Sequence, residues 1–480
     1  MKPVPKTQAG IQPAKTLDEL AANAILLPLP PGDVRYADLS TGRSSADLSK
    51  LKQHIKNCRT RKDYAIAALT GHRGCGKSTE LKRLLVDFQG EFETFYVEVD
   101  PTIERNCDYP ELFLWLVDTL VRRLADLGVE PKNKVVENVL RWFDEKYTER
   151  DVITHKSVAL DTEAEAKAGL SLFGYGLSVL ARIKSSLSGS VETRIKVRRN
   201  VEQYADSLIG NINILLHEVS QAFKAKGRSG ELLIVVDNLD RMEPEPGRNL
   251  FITNGEHLKK LHAHVIYTVP IATALAPYPV AQVFKHFTIP TIDPAKPAGL
   301  HSLLDLLAHR IDIAALFQPP TLAAELAQAS GGSLRDLIRL LDYAQLEAQV
   351  TNGQVIQPEN VRRAIIQLRE DYKRSLIPSG TYFPLLARIH QTGRDGLAEL
   401  AGDEQQKIEN ARRFFRELLT NGAVLEYNGE DSHFAIHPVV QQIEAFKHAL
   451  AQIEPPPAGR APAPKQQRPT NPASGKRKRR

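Results

Sequence analysis

The sequence predicts an α/β protein in which a parallel sheet of the P-loop NTPase type carries a helical lid and is followed by a winged helix-turn-helix. Three observations predict this fold. Apolar runs of strand length alternate with helical segments, a pattern typical of a parallel sheet covered on both faces. A glycine-rich loop joins the first of these runs to a helix. Near the C terminus, helices are followed by two short strands and a final helix, as in a winged helix.

Pattern and composition divide the 480 residues into five segments, of which three are folded units, the number that the usual domain size predicts for this length. We expect a flexible start (1–34), the sheet domain (35–293), a helical lid (294–375), the winged helix (379–452) and a disordered basic tail (454–480).

The sheet domain begins with a predicted helix over 47–56, and five runs then have strand character. They lie at 63–70, 93–100, 231–237, 264–269 and 287–290. Residues 128–226 are a charged, mostly helical insertion, which separates the glycine-rich loop from the third strand by more than one or two βα units require. The uncharged stretch 169–181 inside it is shorter than a membrane-spanning helix. A surface facing a subunit or partner, an ordinary hairpin and a membrane contact all remain open for this insertion.

The most specific motif is the loop between the first strand and the following helix. It has the spacing G-x-x-x-x-G-K-[ST], in which glycines let backbone N–H groups turn toward a phosphate chain, the lysine reaches the β/γ-phosphates and the hydroxyl binds Mg²⁺. The helix after it adds a favourable N-terminus for phosphate. The sequence therefore predicts that ATP and Mg²⁺ bind at Gly71, His72, Arg73, Gly74, Cys75, Gly76, Lys77, Ser78 and Thr79.

A second part of this site is predicted where the third strand ends in an acid. Asp237 is placed to hold Mg²⁺ opposite Ser78. The next residue, where hydrolytic proteins of this class often place a glutamate, is Asn238, and an amide cannot accept a proton. Asp240 is the nearest replacement, with pairing to Arg241 or helix capping as its alternative role. ATP hydrolysis is therefore expected to be slow.

Three further side chains are candidates for the site. Thr268 ends the next strand, where it would sense the γ-phosphate or would simply be a buried threonine. Arg335 lies in the first turn of a helix capped by Ser333, from which it would reach the nucleotide or pair with an acid such as Asp336. Arg310 is a candidate for reaching the γ-phosphate of a neighbouring subunit, with a solvated helix face as the alternative.

The charge distribution bears on possible partners. The net charge is +6, but residues 455–480 hold eight basic and no acidic residues, which leaves the rest of the chain at −2. Residues 381–453 carry seven basic and ten acidic residues, so the winged helix favours a protein contact over DNA, which requires a basic face. The tail would bind nucleic acid without sequence preference; alternatively, it would increase solubility or contact an acidic partner protein.

The cysteine content and the absence of long apolar segments bear on location. Three cysteines without metal or disulfide spacing fit a reducing compartment, and we expect a cytoplasmic protein without a signal peptide or a transmembrane segment.

These features together resemble AAA+ ATPases, particularly the replication-initiator (origin-recognition) clade and the bacterial STAND and KAP-like ATPases. Residues 71–79 match the Walker A motif, 232–241 look like the Walker B segment, Thr268 matches sensor 1 and 331–337 resemble the sensor 2 helix. The resemblance spans 35–450 apart from the insertion, and Asn238 and that insertion depart from the initiator pattern.

The resemblance implies an ATP hydrolase that acts as a nucleotide-dependent switch of assembly or partner binding, in a bacterial signalling or phage-defence system. It implies a homo-oligomer or a protein partner held through the insertion and the winged helix. The alternative is an ATPase that loads on or remodels DNA through its winged helix and tail. A nucleotide-locked scaffold without turnover is a third possibility.

Overall fold

A computed structural model describes residues 12–43, 47–99, 107–126, 204–275, 279–376, 381–397, 405–428 and 432–453. Most of the predicted insertion and the whole basic tail lie outside these ranges.

The centre of the fold is a parallel sheet of five strands in the order β2-β3-β4-β1-β5. The central strands are apolar because helices cover both faces of the sheet, and every residue of β3 is buried. The five apolar runs predicted as strands are confirmed as β1 (Ile66–Thr70), β2 (Glu93–Glu98), β3 (Leu232–Asp237), β4 (His264–Thr268) and β5 (Lys285–Thr288).

Helices pack on both faces of this sheet and form two apolar cores. On one face lie α3 (Asp47–Thr60) and α4 (Lys77–Asp87), which begins at the end of the glycine-rich loop. The opposite face carries α5 (Tyr109–Asp126) and α6 (Ala205–Ala225); α7 (Pro244–Arg248) follows β3 in the chain, and α8 (Gly255–Lys259) packs into the core on this face through Leu258. Helix α6 lies in the C-terminal part of the predicted insertion, which was expected to be mostly helical.

The N-terminal segment differs from the flexible start that we expected over 1–34. Its described part, from residue 12, contains α1 (Leu17–Asn23), and α2 (Ser40–Arg43) follows. Helix α1 begins with a reciprocal capping box between Thr16 and Glu19, which satisfies two backbone N–H groups. Its apolar side chains are buried against the lid, and the buried Gln345 donates a hydrogen bond to the Leu17 carbonyl at 2.6 Å.

The lid is helical, as predicted. It consists of α9 (Pro297–Ala308), α10 (Ile313–Leu316), α11 (Leu322–Ala329), α12 (Leu334–Val350) and α13 (Pro358–Leu376). Two glycines with positive φ, Gly331 and Gly332, separate α11 from α12, and the predicted N-cap Ser333 accepts a hydrogen bond from the Asp336 amide at 3.2 Å. A Cβ at Gly332 would lie 1.6 Å from the Ile292 carbonyl oxygen, so this turn holds the start of α12 against the sheet domain.

The predicted winged helix is confirmed in its described residues. It comprises α14 (Tyr382–Thr392), α15 (Gln405–Asn421), the antiparallel strands β6 (Val424–Tyr427) and β7 (His433–Ile436), and the closing helices α16 (Pro438–Gln441) and α17 (Glu444–Gln452). The short helix expected between α14 and α15 falls largely on 398–404, outside the described residues.

Among the helices of the described ranges, none is both long and apolar enough to span a bilayer.

Candidate nucleotide-binding site

The glycine-rich loop has a conformation that only glycines at its fixed positions allow. Gly71, Gly74 and Gly76 all have positive φ, at 150°, 83° and 96°. A Cβ on Gly71 would approach the Ile289 carbonyl oxygen to 2.5 Å, and one on Gly74 would lie 2.6 Å from the Cβ of Arg335. The loop is therefore pressed between the sheet edge and the start of α12, as the sequence motif requires for a phosphate cradle.

The Lys77 side chain lies inside this loop. Its ammonium donates to the carbonyl oxygens of Gly71 at 2.7 Å and His72 at 2.9 Å. It also forms a buried ion pair with Asp240 at 2.8 Å. Burial opposes charge on both groups, but the pair holds the pKa of Lys77 above, and that of Asp240 below, its ordinary value. Asp240 is thus the counter-ion of the phosphate-loop lysine rather than the partner of Arg241.

The two predicted metal ligands, Ser78 and Asp237, both interact with Tyr96 near the end of β3. Asp237 is buried, with one carboxylate oxygen accepting the Asn238 amide at 2.8 Å and the other accepting the Tyr96 hydroxyl. Burial, and then the Asp237 charge, raise the pKa of Tyr96 far above its usual range, while a hydrogen bond with Ser78 opposes the shift. A hydroxyl and a carboxylate are hard oxygen ligands that fit Mg²⁺, which would neutralise phosphate charge when bound here. Tyr96, which the motifs did not predict, lies between them.

The side chain of Asn238 is bonded to the neighbouring strand β2. The residue has φ 74°, and its amide donates to a carboxylate oxygen of Glu98 at 3.2 Å. Glu98 is the last residue of β2, and its Cα is the register partner of Asp237. A hydrogen bond between Asn238 and Glu98 therefore links the ends of β3 and β2 beside Asp237.

Contacts from the N-terminal segment complete the phosphate loop. The Leu29 amide donates to the Thr79 hydroxyl at 3.2 Å. The buried guanidinium of Arg43 donates to Glu80 at 2.7 Å and to the Cys75 carbonyl at 2.8 Å. Leu29, from the segment that was expected to be flexible, and Arg43, from the start of the sheet domain, therefore fix the loop and the first turn of α4.

A cleft lies between the N-terminal segment, the phosphate loop and the lid. Its lining combines Lys77 and Ser78 of the phosphate loop with apolar side chains, a combination that suits a nucleoside triphosphate with an apolar base and a charged chain. Its apolar lining includes Leu26, Leu27, Leu39, Leu306, Leu334 and Ile338.

Arg310 lines this cleft from its own chain, which corrects the expectation that it reaches a neighbouring subunit. It is only 6% exposed and donates to the carbonyl oxygens of Arg35 and Leu306 at 2.8 and 2.9 Å. Burial, with the nearby charge of Arg35, lowers the pKa of Arg310 to about 10. A side chain held in this way serves the cleft of its own protomer.

The structure does not bring Thr268 to the site. Thr268 is 0% exposed, and its hydroxyl donates to the Val236 carbonyl at 3.4 Å. Of the two interpretations of the sequence, the buried threonine satisfied by a neighbouring strand is the one observed.

Arg335 is positioned as predicted, in the first turn of α12 and on the wall of the cleft. Its amide donates to the Gly74 carbonyl at 3.3 Å, while its exposed guanidinium has no hydrogen bond or ion pair with any described residue. Its alternative partner, Asp336, is bonded instead to Tyr372 and Arg339. Arg335 is thus available to a nucleotide.

The side chains of His72 and Arg73 form hydrogen bonds with parts of the chain outside the phosphate loop. The Arg73 guanidinium donates to the Arg241 carbonyl at 2.5 Å. The Nε2 atom of His72 accepts the backbone amide of Glu426, in strand β6 of the winged helix, at 2.8 Å. Burial, and then the charge of Lys77, lower the pKa of His72 to about 3, so the ring is a neutral acceptor. The second domain thus contacts the phosphate loop directly.

The fold and this geometry define an α/β fold of the P-loop type with a helical lid and a winged helix. No protein-family model matches the chain, and neither does any curated protein sequence.

Solved structures resemble the chain at low identity. Cdc6p from Pyrobaculum aerophilum is 12% identical over 84% of this chain and 93% of that one, with a TM-score of 0.34. The ADP form of the Aeropyrum pernix ORC2 protein is 12% identical over 90% and 97%, with a TM-score of 0.40. The Walker-type ATPase paby2304 of Pyrococcus abyssi is 14% identical over 84% and 96%, with a TM-score of 0.39. The resemblance to replication-initiator ATPases that the motifs predicted thus recurs among solved structures, and at these TM-scores it carries no conclusion about what this chain does.

Proposed function

We propose that this chain is an AAA+ type ATPase in which ATP and Mg²⁺ control the docking of the winged helix on the sheet domain, and thereby its assembly or partner binding. ATP occupies the cleft with its phosphates in the loop of 71–76, Lys77 and Arg335 contact them, and Ser78 and Asp237 hold the metal ion. Slow hydrolysis then resets the docked state.

The observation that carries this proposal is the dual role of His72. Its carbonyl oxygen accepts a hydrogen bond from Lys77, the side chain that must turn toward arriving phosphates. Its ring accepts the Glu426 amide of the winged helix. Because one residue contacts both the phosphate-binding lysine and the second domain, nucleotide binding and winged-helix docking are expected to alter each other's free energy reciprocally.

Two further contacts join the winged helix to elements of the site. The Tyr427 hydroxyl donates to the Gly331 carbonyl at 2.8 Å, in the turn that precedes Arg335. Arg416, on helix α15, lies 4.0 Å from Glu245, just after the Asp240 segment, and its side chain is only 18% exposed. One basic side chain of α15, that of Arg416, is therefore engaged by the chain's own sheet domain, which favours a protein contact over DNA.

The test compares hydrodynamic radius and steady-state ATP turnover with and without duplex DNA, using Lys77→Ala as the control that lacks the phosphate contact. We expect ATP to change the radius of the wild-type chain, no change in the variant and no effect of DNA on turnover. A radius that stays constant at saturating ATP would contradict the switch. A DNA-binding constant whose logarithm falls linearly with the logarithm of the salt concentration, together with DNA-stimulated turnover, would favour the DNA-remodelling alternative.

A further inference from the structure

Hydrolysis at this site requires a carboxylate that the motif does not supply. Asn238 occupies the position after the metal-binding Asp237, and an amide cannot take a proton from water. Asp240 is ion-paired with Lys77 at 2.8 Å, and this charge keeps its pKa low despite burial. In the nucleotide-free chain the Asp240 carboxylate is thus occupied by the phosphate-loop lysine, whereas the carboxylate of Glu98 lies directly beside Asn238.

We infer that Glu98 is the general base for ATP hydrolysis. The carboxylate expected at position 238 is then supplied from the end of the neighbouring strand β2, and an amide occupies position 238. The inference rests on the proposed ATPase function. Glu98 is the last residue of β2, and its Cα pairs in register with that of Asp237 at the end of β3. Its Oε1 accepts a hydrogen bond from the Asn238 amide at 3.2 Å. The carboxylate thus stands beside the position from which a glutamate at 238 would act.

The support for Glu98 in this position comes from its neighbours. Asn238 is 5% exposed and fixed by its own amide, which donates to Asp237, so it orients the Glu98 side chain. Glu98 itself is exposed at the end of the strand, where water can reach it. Side chains two residues apart on a strand share a face, which places Glu98 on the same side of β2 as Tyr96. Tyr96 in turn contacts Asp237 and Ser78, so the carboxylate and both metal ligands lie on one face.

The reaction then balances as an in-line displacement. The oxygen of a water held by Glu98 forms a bond to the γ-phosphorus, and its proton passes to the Glu98 carboxylate. The bond from the γ-phosphorus to the bridging oxygen breaks, and its electron pair stays on the β-phosphate of ADP. Lys77 and Arg335 stabilise the charge on the transferred group.

The experiment measures single-turnover ATP hydrolysis and, separately, the affinity for a fluorescent ATP analogue. Glu98→Gln keeps the shape and removes the base. We expect hydrolysis to fall at least 100-fold, the range for loss of a general base, with affinity within threefold of wild type. The matched control is Glu256→Gln, a surface glutamate paired with Lys259, and it should hydrolyse ATP at the wild-type rate.

A second pair of variants separates catalysis from positioning. The double variant Glu98→Asn with Asn238→Glu places the carboxylate directly after β3 and the amide at the end of β2. We expect this double variant to hydrolyse ATP at least tenfold faster than Glu98→Asn alone. A Glu98→Gln chain within threefold of the wild-type rate, or a double variant no faster than Glu98→Asn, would overturn the assignment. A 100-fold loss in Asp240→Asn with a normal Glu98→Gln rate would assign the base to Asp240. A wild-type chain that binds ATP without hydrolysing it would overturn the inference and leave the docking switch standing.

Discussion

The ammonium of Lys77 lies 2.8 Å from a carboxylate oxygen of Asp240, so the lysine that should hold phosphate is held by the protein itself. Both side chains are nearly enclosed, at 4% and 11% exposure. ATP must therefore replace Asp240 as the partner of Lys77 when it binds. The Asp240 carboxylate thus competes with the negatively charged phosphates of ATP for Lys77.

We expect Asp240→Asn to bind ATP about tenfold more tightly than wild type, because the nearly isosteric amide removes the competing charge. The same change should lower the melting temperature of the nucleotide-free chain, since Lys77 is left as an uncompensated buried charge. Titration with a fluorescent ATP analogue measures the affinity. Asp305→Asn, at a position with 43% exposure, serves as the surface control. Weaker ATP binding by the Asp240 variant would show that the carboxylate supports nucleotide binding.

A second prediction concerns Tyr96 and the metal ligands. Tyr96→Phe removes the hydroxyl that donates to Asp237, so the nucleotide-free site loses a charge-assisted hydrogen bond, typically about 1.5–3 kcal/mol. Mg²⁺ no longer has to displace that hydrogen bond, and we expect its half-saturating concentration for nucleotide binding to fall about tenfold. The comparison of nucleotide affinity over a Mg²⁺ titration and in EDTA measures this. A higher Mg²⁺ requirement in the variant would instead assign Tyr96 a supporting role for the bound ion.

A third prediction concerns acid stability. Burial, and then Lys77, lower the pKa of His72 to about 3, against about 6.5 for an unfolded chain. Between these values the unfolded state binds a proton that the folded state does not, so the free energy of unfolding falls as the pH drops below about 6.5. We expect His72 to account for a loss on the order of 1–2 kcal/mol between pH 7 and 5.

Urea unfolding at a series of pH values tests this. His72→Gln should flatten the decline, whereas His309→Gln, at a histidine with 38% side-chain exposure, should leave it unchanged. Burial also lowers the pKa of His264, to about 4, so part of the decline should persist in the His72 variant. An unaltered slope in His72→Gln would contradict a buried, neutral His72.

The sequence predicts those parts of this fold whose signals are local. The apolar runs that became β1 to β5, the glycine turn before Ser333 and the phosphate loop are all readable within a few neighbouring residues. The N-terminal segment also carried a local signal, because Thr16 and Glu19 have the spacing of a capping box. The proline-rich composition that follows it masked this signal.

The contacts that the sequence did not predict join distant positions. Tyr96 and Asp237 are 141 positions apart, and His72 and Glu426 are 354 apart. Tyr96 looks like an ordinary strand residue, and only the pairing of β2 with β3 places it between the metal ligands. Arg310 was misassigned for the same reason: the sequence places it on a helix face, but it lies in the turn after α9, where its guanidinium donates to the Arg35 carbonyl.

The most direct test of coupling between the two domains is hydrogen exchange at the backbone amide of Glu426, which donates to His72. In the wild-type chain, saturating ATP with Mg²⁺ should speed exchange of this amide at least tenfold. In Lys77→Ala its exchange should not respond to ATP, and in His72→Ala it should be fast with or without ATP. A Glu426 amide that stays equally protected in the wild-type chain when ATP is shown to be bound would contradict control of the winged helix by the nucleotide.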